Sequence, residues 1–129
     1  MAAASDYLEL KLLDHALGTA SFTSPGTVYV GLNTGSPLDN NSGANEVTGN
    51  GYTRKVAAFG SAAAGSASTN ATITFDAATG NWGTITHISI YDASSAGNLL
   101  FHGAVTTSKT IETGDTFQIS TGNLTISLD

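Results

Sequence analysis

Side chains able to do acid–base or metal chemistry are few in this sequence and poorly placed for it. Three histidines (His15, His87 and His102), ten acidic residues and no cysteine are spread over 129 residues. His87 and His102 fall on neighbouring predicted strands and could approach one another. A zinc site needs three or four ligands, and no Asp, Glu or His at a suitable spacing completes the set, so both read as strand-surface histidines. Asp14-His15 would need a serine on an elbow such as G-x-S-x-G to form a triad; that motif is absent, and the pair reads as solvated helix surface. The stretch Asp39-Asn-Asn-Ser-Gly-Ala-Asn-Glu46 is oxygen-rich in the manner of a calcium loop. Its Gly43 falls at the fifth place rather than the sixth and Glu46 at the eighth rather than the twelfth, so it reads as a polar loop. Glycoside hydrolysis needs two acids held close in a cleft, whereas nearly all acids here lie in predicted turns or on a helix. No catalytic, cofactor-binding or metal-ligating residue is assigned, no cofactor is expected, and the chain does not read as an enzyme.

What remains is recognition. Tyr29, Tyr52, Trp82 and Tyr91 could stack on carbohydrate or anchor an interface. Trp82, in the turn Gly80-Asn-Trp-Gly83, reads first as a lid closing one end of the core. Arg54 and Lys55 fall on opposite faces of one strand; at least one is expected at the surface, paired with an acid.

The elements that must position these residues are mostly strands. Ser and Thr number 33 and Gly 15, against 14 charged side chains, the composition of a β protein that works through its surfaces. One stretch differs. Asp6 reads as an N-cap with Glu9 completing a capping box, and Leu10, Leu13 and Leu17 follow at i, i+3, i+7, widened by Leu8, Leu12 and Ala16. Gly18 supplies the stop. So wide an apolar stripe predicts a helix over 6–17 packed on a sheet or on a neighbouring subunit. Thr27-Val-Tyr-Val-Gly-Leu32 alternates strictly, with Val28, Val30 and Leu32 on one face and Tyr29 on the other. Further strands are predicted over 52–59, 71–75, 84–91, 98–105, 115–120 and 124–128, the last two joined by the turn Thr121-Gly122-Asn123. Within 84–91 the apolar register shifts between Ile85 and Ile88, which predicts a bulge near Thr86-His87. The 98–105 strand is apolar on both faces and reads as a central strand.

These signals predict one domain over 1–129, mainly β: an antiparallel β-sandwich or jelly-roll-like fold over about 27–129, preceded by one N-terminal amphipathic α-helix. Long loops at 33–51 and 60–70 interrupt it. The second is low-complexity Ala/Ser with few anchors of its own, so its order is expected to come from another copy of the chain or a larger partner. Net charge is −6, with only four basic residues, too few to build the basic face that nucleic acid demands. No apolar run approaches a membrane span, and the start Met1-Ala-Ala-Ala-Ser lacks the features of a signal peptide. Neither nucleic acid nor membrane is an expected partner.

Six segments taken in order carry a resemblance. They are Tyr7-Leu-Glu-Leu-Lys-Leu-Leu-Asp-His-Ala-Leu17, Pro25-Gly-Thr-Val-Tyr-Val-Gly-Leu-Asn-Thr-Gly-Ser-Pro37, Gly51-Tyr-Thr-Arg-Lys-Val56, Asn81-Trp-Gly-Thr-Ile-Thr-His-Ile-Ser-Ile-Tyr-Asp92, Gly97-Asn-Leu-Leu-Phe-His-Gly103 and Gly114-Asp-Thr-Phe with the closing Leu124-Thr-Ile-Ser-Leu128. Together they resemble the small virion proteins of tailed bacteriophages often labelled "tail fibre protein", some of which serve as capsid cement or decoration proteins. A shaft would need heptads, collagen-like triplets or repeated β-units, and this chain has none. The resemblance then implies a cement protein, made in the host cytoplasm and located on the outer capsid surface of the virion. It would stabilise the shell by bridging major capsid protein subunits, as a homo-oligomer, a trimer in preference to a dimer. The Ala-rich N-terminus and the two loops would be arms ordered on docking, with Tyr29, Leu38, Tyr52, Arg54 and Trp82 among the contacts. The alternative is a tail-associated module binding a host surface glycan through its aromatics.

Overall fold

The computed structural model describes residues 3–128. The chain is mainly β, with one short helix near its N-terminus. In chain order the elements are β1 (Ala3–Ala4), α1 (Asp6–Ala16), β2 (Val28–Asn33), β3 (Lys55–Ala57), β4 (Ser66–Ser68), β5 (Ile73–Thr74), β6 (Gly83–Tyr91), β7 (Leu99–Ile111), β8 (Gln118–Ile119) and β9 (Thr125–Ser127). A five-stranded antiparallel sheet runs β1-β7-β6-β2-β3, and two short ribbons, β4-β9 and β5-β8, lie apart from it. Val30, Leu32, Ile85, Ile88, Ile90 and Leu100 of the large sheet share one buried cluster with Phe75, Phe117, Ile119, Leu124 and Ile126 of the ribbons and their flanks. The ribbons therefore form the second layer of a sandwich.

Local chemistry sets several of these elements. Alternation in β2 sends Val30 and Leu32 inward at 0% exposure. In β6 both Ile85 and Ile88 are buried, an odd spacing that a regular strand cannot satisfy. The register against β7 shifts between Ile85 and His87, and that bulge resets the alternation at the expected place. Lys55 pairs with Asp76 at 3.1 Å, the surface ion pair expected of one of the two adjacent cations.

The helix start differs from expectation. Ser5 is the N-cap: its Oγ accepts from Leu8 N–H at 3.2 Å and Asp6 is the first helical residue. Ser5 also donates through Oγ to the Leu99 carbonyl and through its backbone N–H to Leu100 O, so the cap doubles as the weld between helix and β7. Asp6 lacks the second contact, which is why the buried serine takes the position. At the other end Thr19 N–H reaches Asp14 O and Gly18 N–H reaches His15 O, a Schellman stop on Gly18 at φ +81°. Ser5→Ala removes a cap and orphans a buried carbonyl. We expect a loss of about 1–2 kcal/mol, read by urea unfolding.

Four further expectations are corrected. The strand over 52–59 shortens to 55–57, because beyond Val30 the edge of β2 is taken: Tyr52 Oη accepts from Leu32 N–H, and Val47 N–H donates to Leu32 O. β7 runs on to Ile111, its polar threonines held across the sheet, as Thr84 and Thr110 hydroxyls are at 2.9 Å. The turn at 121–123 joins β8 to β9, but they do not pair with each other; Ile119 registers with Ile73 of β5, and Ile126 with Ala67 of β4. Those pairings give β4 and β5 their strand partners. Finally, the chain itself holds the Ala/Ser tract, through β4 on β9 and a hydrogen bond from Gly60 N–H to Ser68 O.

Candidate functional site

On the face of the large sheet away from the ribbons, the sequence places an unusual residue. Gly31, mid-strand in β2, has no side chain there, and a Cβ would come within 2.8 Å of Glu46 Oε2, 2.9 Å of Ser89 Oγ and 3.0 Å of Tyr52 Oη. A glycine in a strand interior marks such a close approach. The loop over 33–51 descends onto this seat through Asn33, which bridges to Glu46, and through Thr34 N–H to Asn45 O.

Glu46 and Arg54 meet over the seat. Arg54 Nε donates to Glu46 Oε2 and Nη2 to Oε1, both at 2.8 Å, the bidentate fork that arginine makes and lysine cannot. Its Nη1 donates to Ala93 O at 2.9 Å and Ala96 O at 2.8 Å in the β6–β7 turn. The guanidinium carbon lies 3.5 Å from the centroid of the Tyr91 ring. Tyr52 Oη donates to Glu46 Oε2 at 2.6 Å, and Tyr91 Oη donates to Asn41 Oδ1 at 3.0 Å. Side chains of Arg54 and Glu46 are only 7% and 21% exposed. Burial opposes the charge on Arg54, yet the hydrogen bond and charge of Glu46 outweigh it and raise its pKa further. The cluster ties loop, strand and turn together, and its two charges are paired within the chain.

The same cluster makes stability fall in alkali. Burial first, then the hydrogen bond and charge of Glu46, push the Tyr52 phenol well above its ordinary value; burial and the Glu46 charge raise Tyr91. The unfolded chain releases these protons at about pH 10 while the folded chain keeps them. Their contribution is complete below about pH 10 and declines above it. We expect Tm to fall as pH rises through about 10–11, with a shallower fall in Tyr52→Phe.

Of the residues expected at an interface, Tyr52, Arg54 and Trp82 come together, Tyr52 touching Trp82 and sharing Glu46 with Arg54, but they do so inside the fold. Trp82 is 5% exposed in the core, with Nε1 donating to Asn50 O at 2.9 Å; it is the lid of the core rather than a presented ring. Tyr52 stacks on Phe75 at 6.2 Å between centroids and meets Trp82 edge-on at 5.5 Å. Arg54 is occupied as described. Tyr29 is half-buried, registered with Tyr91 and with exposed Val56. Leu38 alone of the five stands out, 50% exposed at φ +67°, a left-handed conformation that strains a leucine by about 1–3 kcal/mol. The four aromatics thus form no exposed platform. His87 registers with Ala104 and His102 with Ser89. They are engaged separately, His87 Nδ1 with Thr86 Oγ1 at 2.8 Å and His102 Nε2 with Asp39 Oδ1 at 2.6 Å. Among the described residues no cluster of three or more His, Asp or Glu could hold a metal.

Two surface features stand apart from this cluster. On α1, Leu8 is buried and Leu12 half-buried against the sheet, whereas Leu10, Leu13 and the C-cap residue Leu17 are 65%, 56% and 75% exposed. Between the large sheet and the β4-β9 ribbon lies an apolar groove of about 310 Å³. No helix among the described residues is long and apolar enough to cross a membrane.

The fold is a small β-sandwich whose buried polar cluster ties its own loop, strand and turn together. The model of a family described as podophage GP4 fiber I protein gp80 matches residues 3–127, and the chain belongs to that family. It is a bacteriophage virion structural protein. No curated protein matches the chain.

Proposed function

We propose that this chain is a non-catalytic, fibre-associated module of the virion, a compact body seated at an end or joint of a fibre rather than along a shaft. The observation that carries this reading is the family match over 3–127, to a model described as a fibre protein. The lack of heptads or repeated β-units in this sequence supports a compact module over a shaft.

A second reading keeps the module on the outer capsid surface, as a cement protein bridging major capsid subunits and stabilising the assembled shell by mass action. Its compact body favours this location equally. Its expected arms do not, since the loop over 33–51 is bonded to β2 and the Ala/Ser tract to β9. Glycan binding through Tyr29, Tyr52, Trp82 and Tyr91 has less support, with Trp82 and Tyr91 buried.

Quantitative mass spectrometry of purified particles separates the first two readings. A few to a few tens of copies per virion is the expected result. Hundreds, in a simple ratio to the major capsid protein, would move the chain to the shell.

A further inference from the structure

Asn50 and Gly51 form the single Asn-Gly step among the nine asparagines of the chain. Both are exposed, at the turn that ends the 33–51 loop. Gly49, Asn50 and Gly51 lie in succession in the left-handed region, at φ +71°, +55° and +81°, which asparagine tolerates and glycine adopts freely. The Asn50 side chain has one tether, Nδ2 donating to Asn81 O at 3.1 Å on the surface. It lies over Gly80, where a Cβ would come within 2.5 Å of its Oδ1. The Gly51 N–H donates to no other backbone group among the described residues. Asn41 offers a contrast. It too is exposed and left-handed, at φ +60°, but the N–H of the following Ser42 is held by Asn40 Oδ1 at 3.1 Å. The Asn50 backbone carbonyl is also a joint. It accepts from Thr79 N–H at 3.0 Å and from Trp82 Nε1–H at 2.9 Å, and so fastens the loop to the turn that carries the buried tryptophan.

We infer that Asn50 is a self-modification site, at which the side-chain amide cyclises onto the Gly51 nitrogen and is hydrolysed, loosening the joint that holds Trp82. Asparagine is a thermolabile residue, and a following glycine has no Cβ to crowd the attacking nitrogen. The Gly51 nitrogen gives up its proton to solvent and attacks Cγ of Asn50. The N–Cγ bond forms, the Cγ–Nδ2 bond breaks, and Nδ2 leaves as ammonia. Water then opens the cyclic imide on one side of its nitrogen or the other. The product is an aspartyl residue, or an isoaspartyl residue whose main chain runs through Cγ. An amide and a water become an acid and ammonia, and nothing is oxidised or reduced. Each product disturbs the joint. An aspartyl carboxylate puts an acceptor where Nδ2 donated, 3.1 Å from Asn81 O, so an attraction becomes a repulsion. In the isoaspartyl product an extra methylene enters the main chain. The carbonyl that served Thr79 and Trp82 then becomes a free carboxylate at the end of a branch. The inference is independent of where the module sits in the virion, so its failure would leave the fibre reading standing.

The test uses the full-length folded chain, incubated at neutral pH and mapped by peptide mass spectrometry. The mass gain of an amide exchanged for an acid should accumulate at Asn50 severalfold faster than at Asn41 or any other asparagine. Enzymatic methylation reads the isoaspartyl share. Conversion at Asn50 no faster than at Asn41, or confined to the urea-unfolded chain, would overturn the inference. Anion exchange then separates the converted form by its added negative charge. That form should unfold in urea at a lower midpoint than the unconverted chain, with the emission of its single tryptophan shifted to the red. A converted form with the midpoint and emission of the unconverted chain would equally refute it. Asn50→Asp, made directly, provides a second measurement that needs no incubation. Its midpoint should be lowered as well, and a midpoint equal to that of wild type would count against the joint.

Discussion

Arg54→Ala should lower the stability of the folded chain by about 3–5 kcal/mol, a large part of the roughly 5–15 kcal/mol that holds a domain together. The substitution leaves the Glu46 carboxylate, 21% exposed, over Gly31 with only the Tyr52 hydroxyl to satisfy it. It also strips Ala93 O and Ala96 O of their donor and uncovers the Tyr91 ring. Arg54→Lys should recover little, because an ammonium cannot reproduce the two-pronged contact. Arg54→Ala combined with Glu46→Gln should be more stable than Arg54→Ala alone, since the orphaned charge is gone. A double-mutant cycle by urea denaturation measures this coupling. If the single variant unfolds at the wild-type midpoint, the cluster is not the tie between loop, strand and turn.

Trp82→Ala should cost about 3–5 kcal/mol, and it discriminates between two roles for the residue. A docking side chain could be truncated with the fold intact and only binding lost. Here the indole is packed edge-on to Tyr52 at 5.5 Å and the residue is buried in the core cluster, so truncation opens a void at one end of the core. Trp82→Phe keeps most of the packing and loses the indole hydrogen bond to Asn50 O, worth about 1 kcal/mol net. As the chain has a single tryptophan, wild-type fluorescence reports the same burial, with a blue-shifted emission that moves red on unfolding.

The candidate site is only partly legible in the sequence. Tyr52 and Arg54 stand out in the sequence as residues that must do something, but the sequence does not show that both turn inward. Glu46 was legible only as the last acid of an oxygen-rich loop. The signal that points to the site is Gly31, a glycine inside a strictly alternating strand, which marks the spot where another group must come close. The helix shows the converse. Its leucines announced an apolar stripe, yet α1 is held by Ser5, Leu8 and Leu12, and the residues at the strongest spacing, Leu10, Leu13 and Leu17, are those left outside.

By itself the sequence determined the β class, the short N-terminal helix with its glycine stop, the inward face of β2 and the bulge in β6. Each of these follows from periodicity or cap chemistry within a few residues, where the backbone leaves few choices. The tertiary structure alone decided the rest: β8 and β9 each paired with a distant strand, the Ala/Ser tract bound to its own chain, and Arg54 joined to residues 8, 39 and 42 positions away. Those outcomes depend on which strand edges remain open once the sheet has closed and on which buried charges must find partners. Neither is encoded in any local stretch of the chain.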